Sequence, residues 1–430
     1  MIGVRRKFLA LTKIVHFEGE SRFKRNIILV ARANILAQVL VFASSPLLTR
    51  LYSPSDFGAF AIFSSILGLC LSFSVWRFDW SIPNTKSRVQ AFSLVVVGLI
   101  FLKTFSVVFI AFLVFFEKIT LEVQAFQVLG VLALLLPIAL FGNGAQQLMH
   151  AWYIRETDLA VVSKSRIYQS IASTITTILG GLTHLGALGL ILGNIAMAWV
   201  GLGTLTRHAG IRAHIRRLSY VRVYVGLRRF WREATASTLV SIVNTASLTA
   251  VPLLLAQHYS ATEVGWYALM YRIAFAPVDL FTTAISQSFW AEAATLIKIN
   301  RSALRDLYIK STWRLMILSV PVSLVALCGP LYVEFIFGEE WHRAGYVLVA
   351  LVPLLIGHIT IPTLSHLVVH RRQHWQLIWD ISRLAFLVLA ITGCSSLNMS
   401  VEIAVLAASI VMFCMYLVLF WLNFICLRGK

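Results

Sequence analysis

The chain has 430 residues, 59% of them hydrophobic and 13% charged, with a formal net charge of +19. That balance excludes an ordinary soluble domain, in which about a quarter of residues are charged. Apolar runs of about 20 residues, each enough to cross a bilayer, recur from end to end, so the chain reads as an all-α integral membrane protein.

About twelve spans are expected. They fall near 27–48, 57–75, 90–116, 126–150, 167–183, 186–206, 234–256, 264–289, 311–333, 345–368, 374–394 and 402–426. Of the 37 Lys and Arg, 29 lie in the segments on the N-terminal side of the membrane. Three (Arg50, Lys118 and Arg343) lie on the other side. This is a strong positive-inside bias. It places both termini in the cytoplasm and makes the basicity topological rather than a sign of nucleic-acid binding. Cys70, Cys328, Cys394, Cys414 and Cys426 all sit in apolar runs without metal-ligand spacing, and read as small hydrophobes. Lys13 interrupts the short apolar run at the N-terminus and no small-residue cleavage site follows, so an interfacial helix is expected there.

Span 1 carries Arg32, Asn34 and Gln38. The two amides are four apart and share a helix face. Arg32 either borders that face or snorkels to the headgroups. Between spans 1 and 2 the chain reads SPLLTRLYSPSDFGAF from Ser45 to Phe60. Pro54 and Gly58 are expected to break helices and Asp56 to cap span 2, making a tight hairpin. The stretch recurs: Tyr52 to Ala61 aligns with Tyr259 to Ala268 at an offset of 207. Internal repeats of this kind are common in transporters.

Span 2 ends in Trp76-Arg77-Phe78-Asp79-Trp80, which fits an interface belt, and a lining role for Asp79 stays open. Lys103 lies near the middle of span 3, where a charge is expensive, so it is expected to face a cavity or a buried partner. Span 4 ends with Asn143, Gln146, Gln147 and His150. Gly186, Gly189 and Gly193 predict close packing of spans 5 and 6. The basic stretch from Arg207 to Arg232 is read as a linker with an amphipathic surface helix.

Span 7 has a polar stripe of Ser237, Ser241 and Asn244, and Asn244 aligns with Gln38 across the repeat. The stripe serves either a cavity or helix–helix hydrogen bonds. In span 8, Arg272 and Asp279 share a face about 10 Å apart, too far for a direct pair unless the helix breaks at Pro277. His358 and His366 of span 10 lack a third ligand, so no metal site is expected. Asp380 and Arg383 of span 11 are read as a local ion pair.

The string PLLTRLYSPSDFGAFAIFSSI, with the FGEEW string from Phe337 to Trp341, resembles the polysaccharide (Wzx-type) flippases. These belong to the multidrug/oligosaccharidyl-lipid/polysaccharide exporter superfamily. The resemblance rests on the hairpin residues Pro46, Arg50, Tyr52, Asp56 and Gly58. It implies two pseudo-symmetric six-helix lobes around a central cavity, residues 1–206 and 233–430, joined by the basic linker 207–232. Helices 1, 2, 7 and 8 would line the cavity, and Arg272, Arg32, Lys103, Asn34, Gln38, Ser241, Asn244 and Asp279 are its candidate residues. The implied function is flipping of an undecaprenyl-pyrophosphate-linked oligosaccharide across the inner membrane by alternating access, for O-antigen, capsule or exopolysaccharide synthesis. Protons or sodium as coupling ion, and glycan-polymerase partners, stay open.

A cation-coupled multidrug exporter of the same superfamily is the alternative. A membrane glycan polymerase or ligase is the enzyme alternative, and the short outside loops count against it. No Walker loop, GxSxG or HExxH motif appears, so the chain is not expected to be an enzyme or to need a cofactor.

The charge bias makes a topology prediction. Reporter fusions at Lys86, Glu156, Gly226, Ala303 and Arg371 should report cytoplasm, and fusions at Ser53, Lys118, Ser260 and Glu340 the outside. Two or more reversed sites would contradict the arrangement.

Overall fold

A computed structural model of the chain describes residues 32–115, 122–208, 219–299, 301–364 and 373–428. These residues form helices joined by short turns, with no strand among them. An apolar chain in hydrocarbon must satisfy every backbone N–H and C=O internally, and long apolar runs do so as helices. In chain order the long helices are α1 (Arg32–Leu51), α2 (Pro54–Ser74), α3 (Arg88–Phe115), α4 (Gln124–Arg155), α5 (Leu159–Leu182) and α6 (Ala187–His208). There follow α7 (Tyr220–His258), α8 (Ala261–Ile299), α9 (Arg301–Leu327), α10 (Glu339–Ala350 with Val352–Thr360), α11 (Gln373–Ser396) and α12 (Val401–Arg428).

Among the described residues ten helices are long and apolar enough to cross a membrane, and eleven if α10, bent by 49°, is one span. The remaining member of the expected dozen is α5. Its 24 residues are long enough, but polar side chains dilute it. Those side chains bond within α5 and to α6. Ser165 Oγ lies 2.9 Å from Thr204 Oγ1, and Gln169 Nε2 donates to Ser165 Oγ at 2.8 Å. The glycine-rich contact expected here forms: a Cβ on Gly180 would lie 2.7 Å from Gly189 Cα. Against the same joint the Tyr52 hydroxyl donates to Thr177 O at 2.6 Å.

The hairpin differs in detail from expectation. Ser53, not Asp56, is the N-cap of α2; Pro54 opens the helix, and Asp56 closes a capping box by accepting from the Ser53 N–H at 3.0 Å. Proline suits that position because the N–H it lacks would be unpaired there anyway. Gly58 does not break α2 but lies inside it. The repeat builds the same cap on α8: Ser260 N donates to Glu263 Oε2 at 2.9 Å, and Glu263 N to Ser260 Oγ at 3.3 Å.

Gly58 and Gly265 then meet. A Cβ on Gly58 would overlap the Ala261 carbonyl, and a Cβ on Gly265 the Pro54 carbonyl. Because 54 and 261 are equivalent under the repeat, the contact is self-complementary. Trp341 reinforces it. Fully buried, it donates from Nε1 to Thr49 O at 3.3 Å and sets its ring 5.2 Å from Phe57. At the other end of α2, Trp76 donates to Thr235 Oγ1 at 3.0 Å and stacks on Trp231 at 5.3 Å.

The expected surface helix of the basic stretch is not separate. Residues 209–218 lie outside the described residues, and from Tyr220 onward the stretch is the start of α7, where Arg228, Arg229 and Arg232 are exposed.

In the second half a buried ion pair ties α7 to α11. Arg383 meets Asp380 at 2.8 Å with both side chains almost wholly buried. Asn244 Nδ2 donates to Asp380 Oδ1 at 3.2 Å, and Ser247 Oγ to Asp380 O at 2.9 Å. Removing one partner of such a pair leaves a buried charge uncompensated, at a cost of about 3–5 kcal/mol. Arg383→Ala should therefore lower the melting temperature of the detergent-purified protein far more than Asp380→Leu combined with Arg383→Met. An equal loss would contradict this account.

Candidate functional site

The i, i+4 spacing of Tyr267 and Tyr271 puts both rings on the face of α8 that meets α2 and α7, with Arg272 beside them. Together with Phe57, Phe60, Ser64 and Ser65 of α2 and Leu248 and Pro252 of α7, they line a cavity of about 200 Å³. Tyr271 stands 5.7 Å from Tyr267 and stacks on Phe275 at 4.3 Å. Arg272 is half-buried and makes no ion pair or hydrogen bond among the described residues. Its charge is available to whatever enters the cavity. The Gly58–Gly265 crossing lies next to the cavity, since Phe57 and Tyr267 flank both.

Asp279 is not its partner. α8 runs unbroken through Pro277, which keeps the two residues apart. Asp279 Oδ1 instead pairs with His358 Nε2 of α10 at 2.8 Å. The imidazole is also held edge-on by Phe275 at 5.2 Å.

Beyond α8 lies an apolar groove of about 420 Å³. It runs from Phe42, Ser45 and Pro46 of α1, over Ile273 and Phe281 of α8, to Val325 of α9 and Leu355 of α10. The cavity beside Arg272 and the apolar groove thus share α8 as their wall.

Of the candidate cavity residues, Arg272 alone lines the cavity. Lys103 corrects an expectation. It is exposed and shares its face of α3 with the exposed Ile100, Val107 and Ile110. The inward face of α3 is carried by Leu102, Ser106 and Leu113, and Lys103 is turned away from it by one residue. Asn244 is bound to Asp380, as above, so the span-7 stripe serves helix packing there. Ser241 lies half-buried on the same helix, outside the cavity lining. Arg32 is exposed at the first described turn of α1, and Asn34 and Gln38 are half-buried without reaching the cavity.

The hairpin residues divide their roles. Pro46 lines the groove, Arg50 is exposed, Tyr52 anchors to α5, Asp56 caps α2 and Gly58 makes the crossing. Ser64, Ser65 and Tyr267 line the cavity without having been expected to. Their signal was the facing of small hydroxyl residues against aromatic ones across the repeat, which spacing within one helix does not reveal.

A family model described as a polysaccharide biosynthesis protein matches residues 47–345. The match spans the hairpin, the cavity and the Glu339–Trp341 turn. No curated protein matches the chain. Among solved structures, the lipid II flippase MurJ in an inward closed conformation is similar with a TM-score of 0.66. It has 14% identity, over 92% of this chain and 87% of that one. An inward-facing multidrug resistance MATE family transporter of the MOP superfamily gives 0.58 at 14% identity, over 93% and 95%. A Vibrio cholerae MATE transporter gives 0.56 at 14%, over 96% and 98%. At such identities the likeness is one of fold.

Proposed function

The chain belongs to the polysaccharide biosynthesis protein family, and from that premise we propose that it flips an undecaprenyl-pyrophosphate-linked oligosaccharide across the inner membrane. The product would serve O-antigen, capsule or exopolysaccharide synthesis. Helices α1–α6 and α7–α12 act as two lobes that alternate access to the cavity between α2, α7 and α8. Both termini face the cytoplasm, so the Gly58–Gly265 crossing closes the outer end.

The observation that carries this reading is Arg272. A cation within a membrane span is costly unless water or a counter-charge meets it, and no described residue does so. The pyrophosphate of the substrate is the missing counter-charge, and the guanidinium fork matches two phosphate oxygens. Ser64, Ser65, Tyr267 and Tyr271 supply hydroxyls for a hydrated head group that could not cross hydrocarbon unaided. The apolar groove beyond α8 accepts the isoprenoid chain. The multidrug alternative fits less well, because an uncompensated arginine repels the cationic compounds such exporters commonly carry. Asp279, in its pair with His358, is the acid available for ion coupling.

Charge-assisted hydrogen bonds to a diphosphate are worth about 1.5–3 kcal/mol each. Arg272→Ala should cut glycan export about tenfold to hundredfold at normal protein abundance, and Arg272→Lys should recover only part, since Lys keeps the charge but loses the fork. Surface glycan and accumulated lipid-linked precursor are the readouts. Full export by Arg272→Ala would reject the assignment.

A further inference from the structure

The Trp76–Trp80 string is not absorbed by the cavity. α2 stops at Ser74, and the chain then turns sharply. Trp76 and Arg77 both have a φ of 48°, in the left-handed region. Two successive bulky residues there are rare, and strain of this kind concentrates at functional sites. The turn launches the short helix Phe78–Ser81, which sets Asp79 and Trp80 against the end of α4. The result is a cleft of about 370 Å³ lined by Asp79, Trp80, Pro83, Gln147, His150 and Ile154. That volume falls in the range of small-molecule sites. Along α2 the crossing at Gly58 and the end of the helix at Ser74 are about 24 Å apart.

The cleft is built around Asp79, which is only 7% exposed. Gln147 Nε2 donates to its Oδ2 at 2.8 Å, and Arg77 Nη1 lies 4.0 Å from the same oxygen. Oδ1 has no hydrogen-bond partner among the described residues, and neither do His150 Nε2 or Arg77 Nε nearby. Buried polar atoms without partners are uncommon, and three in one neighbourhood call for an explanation. Trp80 is 62% exposed, and Arg77 Cζ sits 4.7 Å over its ring. An interface-belt role would account for Trp80 but not for Asp79, the strained turn or the unpaired atoms.

The charges select the ligand. Asp79 repels an anion, so the cleft is not a second pyrophosphate site. Arg77 already offsets that carboxylate, 4.0 Å away, so an organic cation finds no uncompensated counter-charge there. What remains is a neutral ligand with several hydroxyls and one apolar face. A pyranose ring meets that description. Its hydroxyls donate to a carboxylate or an imidazole nitrogen and accept from an amide, while its C–H face lies on an aromatic ring.

We propose that the cleft formed by Asp79, Trp80, Gln147 and His150 is a sugar subsite, which holds a pyranose of the cargo at the end of the protein opposite the crossing. This deepens the flippase reading and rests on it. In that topology the cleft opens toward the cytoplasm, where the glycan is presented, while Arg272 serves the pyrophosphate.

The test uses the full-length protein in lipid nanodiscs and the methyl glycosides of glucose, galactose and N-acetylglucosamine, with saturation-transfer NMR as readout. At least one glycoside should bind, and Asp79→Asn and Trp80→Ala should each weaken it about tenfold or more, by loss of a hydrogen bond or of the stacking face. Arg272→Ala should leave that binding unchanged. Trp80 is exposed, so its variant keeps the assay interpretable if Asp79→Asn fails to fold. Absence of binding by all three glycosides, or binding that survives both substitutions, would overturn the subsite. Asp79-dependent binding of tetraphenylphosphonium would overturn it in favour of an organic-cation site. Normal glycan export with a failed glycoside test removes the subsite alone, whereas a wild-type protein that exports no glycan removes the flippase reading itself.

Discussion

Two glycines, Gly58 on α2 and Gly265 on α8, let a pair of helices from opposite halves of the chain touch backbone to backbone. Any side chain at either position would overlap a carbonyl of the other helix. Around this point the rest of that end of the two helices is assembled. Matching capping boxes start the two helices, and Trp341 binds the hairpin at Thr49 and Phe57. A contact of this kind depends on backbone shape and little on apolar bulk. In the proposed cycle its parting also separates Trp341 from Thr49 and Phe57.

A second constraint is the cost of charge inside a membrane, and the chain meets it in different ways. Asp380 and Arg383 neutralise each other and are fully enclosed. Asp279 takes His358 as its partner while staying partly open. Arg272 has none among the described residues and stands beside a cavity. The contrast separates a charge that holds helices together from the one proposed to meet the substrate.

Much of this was legible in the sequence, because bilayer thickness fixes span length and the repeat survives as Tyr-Ser, an acid and a glycine in register. The close packing of α5 and α6 followed from Gly189 and Gly193, and the ion pair of α11 from i, i+3 spacing. What was not legible depends on a second helix. Gly58 looks like a breaker until Gly265 is placed against it. Asn244 looks like a cavity residue until Asp380 is found within hydrogen-bond reach. Lys103 was expected inward because a mid-span charge is expensive, yet the sequence does not say which face of α3 the neighbours cover. The cavity hydroxyls of Ser64 and Ser65 gain meaning only from the tyrosines opposite.

In the proposed function a lipid-linked glycan crosses between the two halves as the glycine crossing parts and reforms. The most direct measurement is translocation of a fluorescent undecaprenyl-pyrophosphate-linked sugar in proteoliposomes, read by protection from an impermeant quencher. The account predicts flipping well above protein-free vesicles by the wild-type protein, and only background flipping by monodisperse Gly58→Leu protein, in which the crossing cannot reform. Wild-type vesicles no faster than protein-free ones, or a Gly58→Leu protein that flips as the wild type does, would contradict it.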